Sequence, residues 1–209
     1  MPQRRDRWEL ESRMMKVERR IRLARAADAA EVAAIYEPYV TSSAISFEVE
    51  APTPIEMERR IESVLAIAPW LVCEAAGNVV GYAYASRHRE RAAYKWSTDV
   101  TVYVRADHHR LGIGRDLYRC LFSLLRIQGF FVAHAGVTLP NEASIGLHES
   151  FGFQPVGVYR GVGWKLGTWF DVGWWQLALQ PRPDTPSSPL SLGEAQKLSS
   201  WPRWISADS

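Results

Sequence analysis

The segment from Val100 to Arg115 constrains this chain more than any other. An apolar run, Val100-Thr-Val-Tyr-Val104, stops at a polar turn, and Gly112-Ile-Gly114-Arg115 leads from that turn into a helical pattern that continues to Gln128. A strand that turns directly into a helix is a building unit of sheets flanked by helices. Gly112 and Gly114 let the backbone approach a ligand closely, and the open amides of a first helical turn make an anion site suited to a pyrophosphate. Arg110 and Arg115 can add charge-assisted contacts there. The same Gly-x-Gly also occurs as a plain left-handed turn, so on these residues alone both readings stand. Leu117 occupies the place of a third glycine, which disfavours a dinucleotide fold, and no Gly-Lys-Ser/Thr follows, which excludes a nucleoside triphosphate P-loop.

Around this unit the periodicities predict the remaining elements. Ile21 to Leu23 reads as a short strand, and Asp28 opens an amphipathic helix that ends at Pro38. A second helix runs from about Ile55 to Leu65. Strands over 71–75 and 79–85 are separated by Ala76-Gly77-Asn78, which is hairpin chemistry. After the strand at Val100, a further strand is expected over 130–137, a helix over 141–151 and two strands between 152 and 179. The fold class is therefore α/β (α+β), a mixed central sheet flanked by helices.

Charge and composition narrow the function. The chain has 209 residues and a net charge of +2, yet residues 1–25 carry nine Lys/Arg against four Asp/Glu, and residues 26–180 carry thirteen against sixteen. The body is thus acidic, which argues against general polyanion or nucleic-acid binding. Residues 1–18 have no sustained apolar face and read as a flexible arm; 19–180 form the domain. Five prolines and seven serines fall within 181–209, which is expected to be a disordered tail. Two cysteines, Cys73 and Cys120, read as free buried thiols, with no metal or disulfide framework, in keeping with a cytoplasmic protein. No apolar run reaches eighteen residues, so no membrane span is expected.

Several spaced motifs, in order, now point to a family. Arg110-x-Gly112-x-Gly114 after an apolar strand, followed by Asn141-x-x-Ser144-x-x-Leu147-His148-x-x-Phe151-Gly152-Phe153, resembles the acetyl-CoA-binding core of the GNAT N-acetyltransferase superfamily. Ala93-Tyr-Lys-Trp-Ser-Thr-Asp-Val-Thr-Val-Tyr-Val104 and Gly163-Trp-Lys165-x-Gly167-x-Trp169-x-Asp171-Val resemble phosphinothricin and methionine sulfoximine N-acetyltransferases. The resemblance covers about residues 20 to 180. It implies a splayed sheet and acetyl transfer to a small amino-acid-like amine by direct attack, with acetyl-CoA as co-substrate and no metal. It also implies a homodimer. A peptide N-terminus as acceptor, or a CoA-binding sensor without catalysis, are the alternatives.

The resemblance also implies roles. Backbone along Val102, Tyr103 and Val104 would hold the acetyl carbonyl and pantetheine arm, and Arg110, Leu111, Gly112, Ile113, Gly114 and Arg115 the pyrophosphate. Asn141 and Ser150 would approach the cofactor; read locally, Asn141 is a helix cap. His148 would protonate the departing thiolate, or is a packed histidine. Asp99 stands where the relatives carry Glu, as the base that removes the ammonium proton, and is shorter by about 1.5 Å. A carboxylate paired with a nearby cation is the alternative. Arg89, with Arg91 as second candidate, would grip an acceptor carboxylate, unless Arg87 to Arg91 is only an exposed charged run. His88 replaces a Trp of the relatives, and His109 a Gln or Arg. Phe47 lines the acceptor pocket or belongs to the core. The four Trp and one Phe between 164 and 175 close the core, form a subunit contact, or both.

Overall fold

Hairpin chemistry at Ala76–Asn78 does what the sequence predicts. In the computed structural model, which describes residues 19–205, β2 (Trp70–Ala75) turns at Ala76 and Gly77, both with positive φ, into β3 (Asn78–Arg87). The arm expected over residues 1–18 lies outside the described residues. β1 (Arg19–Leu23), β4 (Ser97–Val104), β5 (Val132–Leu139), β6 (Gln154–Lys165) and β7 (Thr168–Ala178) complete a seven-stranded sheet of order β1-β2-β3-β4-β5-β7-β6. All neighbours run antiparallel except β4 and β5. That parallel pair is joined only at Ser97↔Val132, Thr98↔Ala133 and Asp99↔His134. Beyond Asp99 the two strands diverge, leaving a wedge-shaped gap in the middle of the sheet.

Helices cover both faces. On one lie α1 (Ala29–Thr41) and α2 (Pro54–Leu65), whose Val32, Ile35, Tyr36, Met57 and Ile61 bury against Trp70, Val72 and Tyr82. Thr53 caps α2 by accepting from the Glu56 amide at 3.2 Å, and Pro54 sits in the first turn, where its missing N–H costs nothing. On the other face lies α3 (Ile113–Gln128), bounded by left-handed Gly112 and Gly129; its Leu117, Tyr118, Leu121, Phe122 and Leu125 pack with Val100, Ala133 and Phe153. α4 (Glu142–Glu149) follows β5 and is capped by Asn141.

Two expectations are corrected. Pro38 does not end α1, which continues to Thr41 with the Ser42 amide donating to the Pro38 carbonyl at 3.0 Å. A proline forfeits only the bond to the carbonyl four residues back, here that of exposed Ala34, which water can satisfy. The Pro/Ser-rich tail is not disordered over 181–205. Leu192, Ala195, Trp201 and Ile205 join the α3-side core, and the Leu190 amide donates to the Gln128 carbonyl at 2.8 Å. Spaced apolar residues and backbone hydrogen bonds offset the ordering entropy that the Pro/Ser composition disguised. A short helix, α5 (Leu192–Ala195), opens with a Ser191–Glu194 capping box.

A buried ion cluster on Arg22, 4% exposed, carries no local sequence signal. It donates to Asp28 at 2.7 Å from both terminal nitrogens and to Glu74. Burial opposes charge on Asp28, but Arg22 and the Arg25 amide hold it below the usual carboxylate range. Cys73 is buried and Cys120 half-buried; both are free, and burial pushes each up to about 11, so they remain thiols. Among the described residues no helix is long and apolar enough to cross a membrane.

Candidate functional site

Strand alternation decides which groups face the gap. The Arg105 amide donates to the Val80 carbonyl at 2.9 Å, so Arg105, Tyr103 and Thr101 turn their backbone toward β3. Val102 and Val104 therefore present theirs to the gap. Tyr103 does not: its backbone pairs with Tyr82, and its ring packs on Tyr36 and Tyr39 at 5.0 and 4.8 Å. The Val104 carbonyl is already engaged by the Tyr39 hydroxyl and by Nε2 of His109, at 2.5 and 2.9 Å, which leaves its amide as the open group. His109 is thus a structural bracket for the strand end, while His108 pairs with Asp107 at 2.7 Å.

At the mouth of the gap the turn is built for an anion. The first intrahelical bond of α3 runs from the Asp116 amide to the Gly112 carbonyl at 3.0 Å, so the amides of Ile113, Gly114 and Arg115 are free of helical partners. Gly112 at φ +83° and Arg110 at φ +60° shape the loop, with the Arg110 and Arg115 side chains exposed beside it and Leu111 at its tip. A Cβ on Gly114 would lie 3.5 to 3.8 Å from the side chains of Leu147, Val102 and Val104, so the start of α3 packs closely on β4. Open strand amides and orphan helix amides fit a diphosphate-bearing cofactor with an extended arm, as acetyl-CoA is.

At the apex, where β4 and β5 part, Asp99 projects on the α1–α2 face. Its Oδ1 lies 2.6 Å from Nδ1 of His88, the first residue after β3. The His88 ring stacks on His134 of β5 at 4.1 Å and 15°, with the edge of Trp174 at 6.2 Å. Arg89 donates to the His88 carbonyl at 2.8 Å and sets its guanidinium 5.8 Å from the Trp174 ring centre. The Trp174 indole nitrogen is buried without a partner among the described residues. Burial lifts the Asp99 carboxyl above its ordinary range against the pull of His88, and burial together with the charges of His88 and Arg89 pushes His134 down to about 4.

The other expected site residues disperse. His148 is corrected: it is 4% exposed, on the α3 face, with Nδ1 2.8 Å from the Ser144 carbonyl and Nε2 3.0 Å from the Tyr118 hydroxyl. Nδ1–H must donate to the carbonyl, so Nε2 accepts from Tyr118, and neither nitrogen can serve a thiolate. Burial lowers its affinity for a second proton despite the Ser144 bond. Asn141 accepts from the Ser144 amide at 3.1 Å, the cap expected of it, and exposed Ser150 donates to Leu147. Arg91 lines a 500 Å³ cavity together with Arg87, Arg89, Lys95 and Ser188. Phe47 docks on the β6–β7 hairpin, where a Cβ at Gly163 would overlap its ring, and faces Phe170 at 6.5 Å. Of the dense aromatics, Trp175 closes the core while Trp164 and Trp169 are 58% and 63% exposed. Sequence reasoning missed His134, Trp174 and Tyr39, and noted His88 only as a departure. Sheet register assembles His88, His134 and Trp174 around Asp99, through Asp99↔Ser86, Asp99↔His134 and Gly136↔Trp174, while Tyr39 reaches β4 from α1.

Comparison with known proteins adds independent findings. A family model described as an acetyltransferase (GNAT) domain matches residues 21–174. Phosphinothricin N-acetyltransferase of Streptomyces viridochromogenes is 41% identical over 181 residues, covering 85% of this chain and 99% of the relative. L-methionine sulfoximine/L-methionine sulfone acetyltransferase of Pseudomonas paraeruginosa is 35% identical, covering 79% and 98%. The crystal structure of a phosphinothricin acetyltransferase from Sinorhizobium meliloti in complex with AcCoA superimposes with a TM-score of 0.78 at 30% identity, covering 81% of this chain and 93% of that one.

Proposed function

The chain belongs to the GNAT acetyltransferase family, and on that premise we propose that it is an acetyl-CoA-dependent N-acetyltransferase whose acceptor is the α-amine of a small amino-acid-like compound of the phosphinothricin, methionine sulfoximine or methionine sulfone type. The observation that carries this reading is the gap itself, with the open amides of the α3 first turn at its mouth and a carboxylate–imidazole cluster at its apex. Bound there, acetyl-CoA supplies an activated acetyl group and a thiol that can leave. Ile113, Gly114 and Arg115 hold its diphosphate by backbone amides, with Arg110 and Arg115 adding charge, and the amides of Val102 and Val104 line its arm.

An α-amino group with a pKa of about 8 or above is mostly protonated at pH 7 and cannot attack until it loses a proton. That proton leaves toward the Asp99 end of the gap. Arg89, held over Trp174, pairs with the acceptor carboxylate and so aims the amine at the apex. Acetylation of such an acceptor would make the protein a resistance determinant against it.

The same reading includes a homodimer. β6 is an edge strand, and Val156, Val158, Tyr159, Val162 and Trp164 leave an exposed apolar band along it, larger than isolated surface residues account for. Sedimentation of the full chain reads this directly: a dimer is expected, and Trp164→Lys with Val158→Lys is expected to yield monomer.

Thiol release from acetyl-CoA over a panel of amines tests the activity. Saturable turnover on methionine sulfoximine, methionine sulfone or phosphinothricin, with acetyl mass added to the α-amine, is expected. Turnover confined to peptide N-termini would overturn the acceptor, and CoA binding without turnover on any amine would make the chain a sensor.

A further inference from the structure

His88 is placed where no other element of the cleft requires a titratable ring. It follows the last residue of β3, and the Ser86↔Asp99 register brings it over the apex. Three contacts set the ring: His134 beneath it at 4.1 Å, Trp174 at one edge and Tyr94 at another, at 6.2 and 5.9 Å. Its side chain is 13% exposed, and that of Asp99 27%. An ionised carboxylate can only accept, so at the 2.6 Å contact the His88 Nδ1 carries the hydrogen and donates it to Asp99. The Nε2 atom then holds a lone pair, and it has no hydrogen-bond partner among the described residues. Asp99, one methylene shorter than a glutamate, spends its reach on this imidazole.

We infer that His88, oriented by Asp99, is the base that takes the proton from the acceptor's ammonium group. The inference rests on the acetyltransferase reading and adds to it a catalytic residue, with Asp99 as the positioning residue that fixes the tautomer and balances the imidazolium. One ammonium proton passes to His88 Nε2 and on to water through the exposed edge of the ring. The freed lone pair forms the N–C bond to the acetyl carbon as the C–S bond breaks. A second proton leaves the nitrogen as the sulfur gains one, so the products are the neutral amide and the free thiol. Imidazole suits this step because its proton affinity lies near neutral pH, closer to an amine than a carboxylate's.

The groups around the ring are compatible with a transient charge. Asp99 faces it from β4. His134 of β5 is neutral at pH 7 and does not compete for the proton. Trp174 of β7 and Tyr94 are uncharged, and Arg89 lies in the same loop, with Arg182 near His134. Asp99 is therefore the group that sustains an imidazolium against those cations.

His88→Phe keeps a flat ring on His134 and removes both nitrogens. At pH 7 its kcat/KM for the acceptor is expected to fall about 10²-fold, while KM for acetyl-CoA stays unchanged. At about pH 9.5 a far larger share of the acceptor amine arrives already deprotonated than at pH 7, and the loss is expected to shrink at least roughly tenfold. An equal loss at both pH values means packing only and overturns the inference, as does wild-type kcat/KM at pH 7. Nitrogen-15 resonances of histidine in the full chain without cofactor supply a second readout. His88 is expected as the Nδ1–H tautomer, lost in Asp99→Asn; an Nε2–H tautomer overturns the dyad. Turnover by the wild type on no amine at all overturns the acetyl-transfer reading and this inference with it, whereas an active wild type and an equally active His88→Phe overturn the inference alone.

Discussion

His88 and His148 occupy opposite faces of one sheet, and the contrast between them separates a reactive imidazole from a structural one. His148 sits on the α3 face, 4% exposed, with one nitrogen donating to Ser144 and the other accepting from Tyr118. Every polar atom is satisfied, so the ring contributes to packing and has nothing left to exchange. His88 sits on the α1–α2 face with one nitrogen fixed by Asp99 and the other uncommitted. Residue type is the same in both places. What differs is how many of the two nitrogens the fold has already used, and that number is invisible in a motif.

Three substitutions sharpen the contrast, in decreasing order of effect. Arg89→Ala removes the cation beside Trp174, and a charge-assisted contact worth about 1.5–3 kcal/mol predicts a rise in acceptor KM of roughly ten- to a hundredfold, with KM for acetyl-CoA unchanged. Equal rises for both substrates would place Arg89 outside the acceptor site. Gly112→Ala forces an L-residue to φ +83°, and the ~1–2 kcal/mol cost of that conformation predicts lower thermal stability and a severalfold higher KM for acetyl-CoA alone. Unchanged acetyl-CoA binding would separate the turn from the cofactor.

His134→Asn has the smallest effect and shows in the pH dependence of stability. Imidazole in the unfolded chain takes up a proton near pH 6.5, but folded His134 resists until about 4. Between those values the unfolded state binds the extra proton, so this group's contribution to stability is present above pH 6.5 and is lost as pH falls toward 4. Urea midpoints of wild type and variant, compared across that window, are expected to converge as pH drops. Parallel curves would mean that His134 titrates normally.

Much of the fold was legible because period and turn chemistry act locally. The Ala76–Asn78 hairpin, the Gly112 helix start and the Asn141 cap each announce themselves within a few residues. The α1 end at Pro38 and the tail were misread for a common reason. Composition alone does not say whether a carbonyl is solvated or whether Leu192, Trp201 and Ile205 find a core to enter. The site divides in the same way. Its anion-binding turn is contiguous in the chain, whereas the apex joins His88, Asp99, His134 and Trp174 across four segments, through registers that only the assembled sheet defines. His148 was misplaced because its partner Tyr118 lies thirty residues away on α3.

The claim that proton removal belongs to the α1–α2 face is tested most directly by kcat for a single amino-acid acceptor at pH 7, measured in parallel for Asp99→Asn and His148→Gln. The expected result is a loss of about 10²-fold or more for Asp99→Asn, and for His148→Gln a kcat close to wild type with a stability loss of about 1–3 kcal/mol from an unsatisfied buried partner. A collapse of kcat in His148→Gln with Asp99→Asn near wild type would place the proton chemistry on the other face and contradict the account.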